Sequence, residues 1–373
     1  MEIRQICFLR FRVQFFCFLP FFRFTIQITK METKNSESQP LVIKIDPQTI
    51  VDHVCFSPDG KLIVSSGRVD TPQIWDAQTG LRVGVLRGHK NPGVVYSTNF
   101  SPDGKQLASG GSDEAVLIWD VATMEFTRVF DWLRGPVWDA RFSPDGKKLA
   151  ICAMCTLKML DLADVDRPIK WSVKQPGSRI CFTPDGKLLV NTSDDRRLCI
   201  WDVETGALVK AIPTDHDRIT DIDVSPDGKF IAASTSGIFT LRWCIETGDC
   251  WYMSSGHSSP GTSARFSPDG KLLASSNYEC VRLWGIETGR CVSVLSDHTK
   301  YITSVCFSSD GKRIASGSAD STIRAWDVAA EIKRKEESDA EARKRKADET
   351  AETQEKKPKE ETTVSEKPTD KSE

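Results

Sequence analysis

The chain of 373 residues is short of the signatures that announce chemistry. It contains no Gly-rich phosphate loop, no His-Glu-x-x-His pair, no kinase signature and no dinucleotide fingerprint. The usual sequence marks of phosphoryl transfer, metal-assisted hydrolysis and hydride transfer are therefore missing, and an enzyme is not the expected class. Cys152 and Cys155 have CxxC spacing, but no second CxxC follows at zinc-finger distance and no histidine lies nearby. They read as two thiols on a strand, and neither a metal nor another cofactor is expected. Charge of one sign is also lacking. Residues 1–30 carry a net +4, residues 331–373 a net −2, and the part between them −4. That middle has no basic surplus of the kind a sequence-tolerant nucleic-acid binder needs, so direct binding to nucleic acid is not expected. Within the first thirty residues the longest charge-free run, Val13–Phe22, is ten residues and includes Gln14 and Pro20. That is too short to span a bilayer.

What the chain has instead is one line written seven times. Cys55-Phe-Ser-Pro-Asp-Gly-Lys61 returns near the other end as Cys306-Phe-Ser-Ser-Asp-Gly-Lys312. The aromatic of that line, once a valine, falls at Phe56, Phe100, Phe142, Phe182, Val224, Phe266 and Phe307, a period of 40 to 44 residues. Such a period belongs to stacked or radially arranged units. Ser57-Pro-Asp-Gly60 sets Pro where a turn wants φ near −65° and Gly where the chain must leave it, and apolar runs flank it, so each copy closes a hairpin. A Trp follows 18 or 19 residues after the aromatic at Trp75, Trp119, Trp201, Trp243, Trp284 and Trp326; the third unit has Leu160-Asp161 instead. Four units continue through a short turn such as Asp76-Ala-Gln-Thr-Gly80 into one more strand, which makes four strands per unit. Cys55, Cys181 and Cys306 share one slot in the repeat and read as small buried hydrophobes, which fits a reducing compartment.

These units resemble the WD40 family: the Trp-Asp pairs at 75–76, 119–120, 201–202 and 326–327 are its signature, as are Gly88-His89 and Gly256-His257. The resemblance implies an all-β fold, a seven-bladed β-propeller over residues 41–329. Residues 1–40 are expected to be a non-globular extension and residues 330–373 a charged tail, helical and then disordered. The last unit has no fourth strand after Trp326-Asp327, while Leu41-Val-Ile-Lys-Ile-Asp46 is strand-like and has no unit of its own. We expect that N-terminal strand to complete the seventh blade and close the ring, which would cover an exposed sheet edge.

Two units carry His89, Ser109, Asp113 and Trp119, and His298, Ser316, Asp320 and Trp326. Ser, His and Asp together invite a hydrolase reading. The resemblance implies instead a structural chain of hydrogen bonds within a blade, in which the buried indole N–H finds an acceptor. His216 and His257 keep the His position without the matching Asp, so blades five and six should be tied less firmly.

A propeller offers its mouth and faces to other proteins or peptides. By analogy with related propellers, the positions six and four before the hairpin aromatic point to the mouth, which selects Asp52, Tyr96, Trp138, Arg218, Thr220, Tyr301 and Thr303, with Arg68 joining from the turn before Trp75. The loop Asp131–Pro136 lacks the family His and offers Trp132 and Arg134. The expected function is a non-catalytic scaffold of a multiprotein complex, probed against a second reading in which the mouth reads one short charged, phosphorylated or methyl-lysine peptide. No small-molecule substrate is expected, and the propeller is read as a monomer within a larger assembly.

In the tail, Lys333-Arg334-Lys335 and Arg343-Lys344-Arg345-Lys346 resemble a bipartite nuclear-import signal, so the expected location is nucleus, cytoplasm or both. Glu331–Lys335, Asp339–Arg343, Glu341–Arg345 and Glu352–Lys356 fall at i,i+4 spacing and support a solvated helix. Residues 1–30 hold eight Phe and four Arg, and Met31-Glu-Thr-Lys reads as an ordinary start, so the first thirty residues are expected not to be native; a targeting or membrane-surface segment is the alternative.

Overall fold

The recurring line folds as its chemistry requires. In blade one the Ser57 hydroxyl donates to Asp59 at 2.6 Å and accepts the Leu62 N–H at 2.9 Å, while the Lys61 N–H reaches the same carboxylate at 3.1 Å. Gly60 stands at φ 68°, where a side chain would be strained. The prolines of these turns also interlock: Pro58 lies 3.4 Å from where a Gly104 side chain would begin. At the last junction Ser309 takes the proline's place and donates its hydroxyl to the Pro58 carbonyl at 2.5 Å. The one Ser-for-Pro change in the repeated line thus sits where the last unit meets the first.

The structure, a computed structural model, describes residues 39–355 other than 48, 91, 92, 215, 216, 255 and 256. The expectations for residues 1–30 and for His216 lie outside them. The described strands form seven sheets of four. The inner strands are Val51–Phe56, Val95–Phe100, Val137–Phe142, Ile180–Phe182, Ile219–Val224, Gly261–Phe266 and Ile302–Phe307, and each touches the next round a full circle. This is the seven-bladed β-propeller. The fourth position of the seventh sheet is held by Leu41–Lys44, antiparallel to Thr322–Asp327, with Leu41 opposite Ala325 and Lys44 opposite Thr322. No helix among the described residues is long and apolar enough to cross a membrane.

The blades are braced in different ways. In blade two Ser109 Oγ accepts Trp119 Nε1–H at 2.8 Å and lies 2.7 Å from His89 Nε2, and His89 Nδ1 lies 3.0 Å from both Asp113 oxygens. Blade seven repeats the His298–Ser316 and His298–Asp320 contacts at 2.6 and 2.9 Å, but Trp326 Nε1 has no hydrogen-bond partner. In blade six Ser275 serves both Trp284 and His257, at 2.8 and 2.6 Å, and His257 Nδ1 is left unpartnered. The hairpin before Trp284 is one residue shorter than its equivalents, and Glu279 there accepts from Ser258 instead. Blade three drops the scheme altogether: Leu133, Ile151 and Leu160 are buried together in one apolar cluster. Replacing every partner at once avoids the cost of a single orphaned polar group. Cys152 is buried on its strand and Cys155 is exposed in the hairpin turn of blade three, so the two thiols of the CxxC spacing stand in different surroundings.

The helix Val328–Glu355 follows the last strand directly. Asp327, the Asp of the last Trp-Asp pair, caps it by accepting the Ala330 N–H at 2.8 Å. Its first turn is not solvated as expected. Val328 and Ile332 pack with Val292 and Leu295 of blade six, and Ser293 Oγ donates to the Glu331 carbonyl at 3.2 Å. The expected Glu331–Lys335 pair gives way to Glu331–Arg334 and Lys335–Asp339, both 2.6 Å, because docking turns Glu331 inward, while Glu341–Arg345 forms at 4.0 Å.

Candidate functional site

The inner strands deliver side chains in tiers to the central channel. At its mouth is a cavity of about 620 Å³ lined by Asp52, Arg68, Tyr96, Trp138, Arg179, Thr220, Tyr278, Tyr301 and Thr303, with Val94, Ser236 and Pro260–Thr262 completing the wall. Seven of the expected mouth residues are thereby brought together. Arg218 is not among the lining residues: it precedes the strand Ile219–Val224 and is exposed, its carbonyl accepting the Ser236 N–H at 2.8 Å. Trp132 and Arg134 also lie away from this cavity, on the exposed loop before Val137–Phe142. There the Trp132 ring meets Phe130 edge-on at 6.1 Å, with the Lys158 ammonium 5.6 Å above it.

Of the lining residues outside the expected set, Tyr278 and Arg179 carry the largest polar side chains. Tyr278 stands twelve positions after its hairpin aromatic, as Arg68 does after Phe56, so the step that selects Arg68 selects Tyr278 as well. Arg179 lies three positions before Phe182, outside the six-and-four rule; its strand, Ile180–Phe182, is only three residues long and starts late.

The aromatics come as two pairs. Tyr96 and Trp138, from blades two and three, have ring centroids 4.6 Å apart, and Tyr278 and Tyr301, from blades six and seven, 5.5 Å apart. Blade one lies between these pairs and supplies Asp52 and Arg68, with Arg179 facing them from blade four. Burial raises the Asp52 carboxyl above its ordinary range, more than the charges of Arg68 and Arg179 lower it. Thr220 and Thr303 are committed to structure: their hydroxyls donate to the Gly261 carbonyl at 3.0 Å and the Gly317 carbonyl at 2.9 Å, and Thr303 also to the Val51 carbonyl.

Beneath the mouth runs a belt of buried ions. Arg265 and Ser263 reach Asp221 at 2.5 and 2.6 Å, and Arg141 pairs with Asp139 at 3.1 Å. Arg179 spans two tiers, its Nε 3.8 Å from Asp221 and its Nη1 donating to the Trp138 carbonyl at 3.3 Å. The mouth is thus held from below by an ionic frame. Burial pushes the Cys181 and Cys306 thiols up to about 12, which keeps them protonated near neutral pH. Ser109 cannot act as one either, since its buried hydroxyl is shared by Trp119 and His89. The mouth thus presents two aromatic pairs, one carboxylate and two guanidinium groups around a single opening.

The family model for WD domain, G-beta repeat matches residues 42–76, 80–120, 178–202, 208–239, 248–285 and 289–327, more than half of the chain. Blade three, with Leu160 in place of the Trp, lies between the second and third of these segments. The chain is also similar to the Notchless protein homolog of Arabidopsis thaliana, 47% identical over 45 residues, which are 12% of this chain and 10% of that protein. The likeness therefore spans about one repeat.

Proposed function

Since the chain belongs to the WD40-repeat family, we propose that it is a non-catalytic scaffold that brings protein partners into a larger assembly, holding an extended segment of one partner at the mouth. The observation that carries this reading is that all seven blades contribute to one cavity in which two aromatic pairs flank Asp52 and Arg68. Aromatic and arginine side chains around a single depression are the usual anchors of an interface. Affinity purification of the full-length protein with Trp138→Ala and Tyr301→Ala combined tests it. The expected result is loss of at least one co-purifying protein with little change in Tm; recovery of the same proteins in the same amounts would reject it.

The second reading is a mouth dedicated to one short charged peptide. Arg68 and Arg179 favour it, because two guanidinium groups at one opening suit a carboxylate or phosphate, whereas a methyl-lysine would rest on the aromatic pairs. Arg68→Ala with Tyr301→Ala separates the two: a dedicated reader loses all its partners, a scaffold that uses several surfaces only some. For location, the basic clusters Lys333–Lys335 and Arg343–Lys346 lie on one helix, and we read them as a nuclear-import element. Alanine at 343–346 should then shift a tagged protein towards the cytoplasm; an unchanged distribution removes the nuclear part of the proposal.

A further inference from the structure

Along the outer strands, one position recurs near the junction between a blade and the next. It is the residue paired with the one just before the repeat Trp, or before Leu160 in blade three: Gly84, Arg128, Trp171, Lys210 and Ser293 in blades one, two, three, four and six. In blade five it is Trp251, which is exposed and whose ring meets Phe230 of its own blade at 6.3 Å. Gly84 has Met124 of blade two against it, its sulfur 3.0 Å from where a side chain would begin. Arg128 donates to the Leu162 carbonyl at 2.8 Å. Trp171 lays its indole over Gly206 and donates Nε1–H to the Val203 carbonyl at 2.9 Å. Ser293 meets the docked helix at Glu331. Lys210 likewise reaches the next blade, donating to the Glu246 carbonyl, but its chain is thin. Beside it a groove of about 460 Å³ remains open between blades four and five.

Leu188, Ile200 and Ile245 give that groove an apolar lining shared by blades four and five, with Val209 and Phe230 beside them, and Ile245 occupies in blade five the place that Val203 has in blade four. Lys210 and Lys229 stand at its rim against Glu246 alone. Val209 is 58% and the neighbouring Leu208 48% exposed, so apolar surface continues outwards from the groove. Gly228 of a Ser-Pro-Asp-Gly turn lines one end, which puts the groove on the opposite side of the ring from the mouth.

We propose that this seam is a second docking site, which takes a tryptophan or similar aromatic side chain from an acidic segment of a partner protein. Trp171 is the template: one junction earlier, this same chain fills the equivalent space with an indole in cis. The lysine rim selects acidic residues on either side of the inserted ring. Unlike the mouth, the seam is built from two blades only, so the two sites are separable.

The test uses the full-length protein and a fluorescein-labelled acidic pentapeptide with a central tryptophan, followed by anisotropy, with the central alanine peptide as control. Saturable binding is expected for the tryptophan peptide only. Lys210→Trp, which copies blade three into the seam, should weaken it by about tenfold or more. Val209→Glu, at an exposed position that should not disturb folding, should do the same. The Trp138→Ala, Tyr301→Ala variant of the mouth should bind the peptide as the wild type does. The proposal is overturned if the wild type shows no saturable binding by about 1 mM, if the alanine peptide binds equally, if both seam variants keep full affinity, or if the mouth variant loses it.

Discussion

The Arg265 guanidinium of blade six lies 2.5 Å from the Asp221 carboxylate of blade five, with both side chains almost wholly out of solvent. Together with Arg141–Asp139 and Arg179 it ties the inner strands of blades three to six. In this arc the full Asp–His–Ser–Trp chain is nowhere seen among the described residues: blade three replaces it with apolar residues, blade four offers Trp201 only Asn191, and blade six has His257, Ser275 and Trp284 but lacks the acid. The ionic belt and the indole chains brace different parts of one ring. Asp221→Ala should cost about 3–5 kcal/mol, because it strands a buried guanidinium. Urea unfolding measures it, and a loss below about 1 kcal/mol would mean that the belt adds little. Burial pulls the Asp221 carboxyl up, but Arg265 and Arg179 more than offset this and leave it below the ordinary range. Its contribution is therefore present above about pH 4 and disappears on further acidification.

Asp320 is the outer end of the blade-seven chain. Burial opposes its charge, yet hydrogen bonds from His298, Thr322 and the Thr299 N–H hold the carboxyl well below its ordinary range. Asp320→Ala should cost about 1–3 kcal/mol by leaving His298 Nδ1 with a weaker set of partners. The difference from wild type should be full at neutral pH and shrink as pH falls below about 4, since the depressed group stabilises only while ionised. Equal Tm values at pH 7 would show that the chain is dispensable there.

Blade six should respond to acid earlier. His257 is pushed down to about 4, chiefly by burial and further by Arg282, and its Nδ1 has no partner. A histidine kept neutral in the fold stabilises above its ordinary value near 6.5 and loses that contribution as pH falls towards 4. Between pH 6.5 and 4.5, amide exchange corrected for intrinsic rate should rise in the strand Val281–Gly285 more than in Thr322–Asp327, where His298 has its acid. Equal changes in the two strands would contradict the assignment.

The ring was legible in the sequence because seven copies of one turn leave little choice of architecture. The mouth was legible where register carried it: Asp52, Tyr96, Trp138, Thr220, Tyr301 and Thr303 follow from counting back from the aromatic, and all line the cavity. Counting failed where a strand changes length. Arg179 precedes a three-residue strand, so an invariant offset passes it over, while Arg218, one residue before a six-residue strand as Tyr301 is, does not line the cavity. Leu133, Ile151 and Leu160 could be read singly as apolar residues, but that they replace one polar chain together needs their spatial cluster. Glu331 gave no warning of burial, because a mixed-charge helix reads as solvated until its neighbour in blade six is known. The seam between blades four and five was equally invisible, since Lys210 stands where the preceding blade has Trp171 and only strand register shows it.

The strand Leu41–Lys44 is a further point at which distant parts of the chain meet, and its energetic weight can be bounded. Ile43 and Ile45 are 2% and 8% exposed and belong to the same apolar cluster as Ile323 and Ala325 of blade seven and Trp75 of blade one. Burying two isoleucines contributes about 3–6 kcal/mol. Removing residues 41–46 would also expose the outer edge of Thr322–Asp327, and a bare edge pairs with whatever strand it meets. The truncated chain should therefore melt earlier and form concentration-dependent oligomers in sedimentation. Arg313, which donates to the Ala77 carbonyl at 2.8 Å and stacks over Phe56, would remain as a tie between blades seven and one, so partial rather than complete unfolding is expected. A monomer with unchanged Tm would show that the first and last blades are held without this strand.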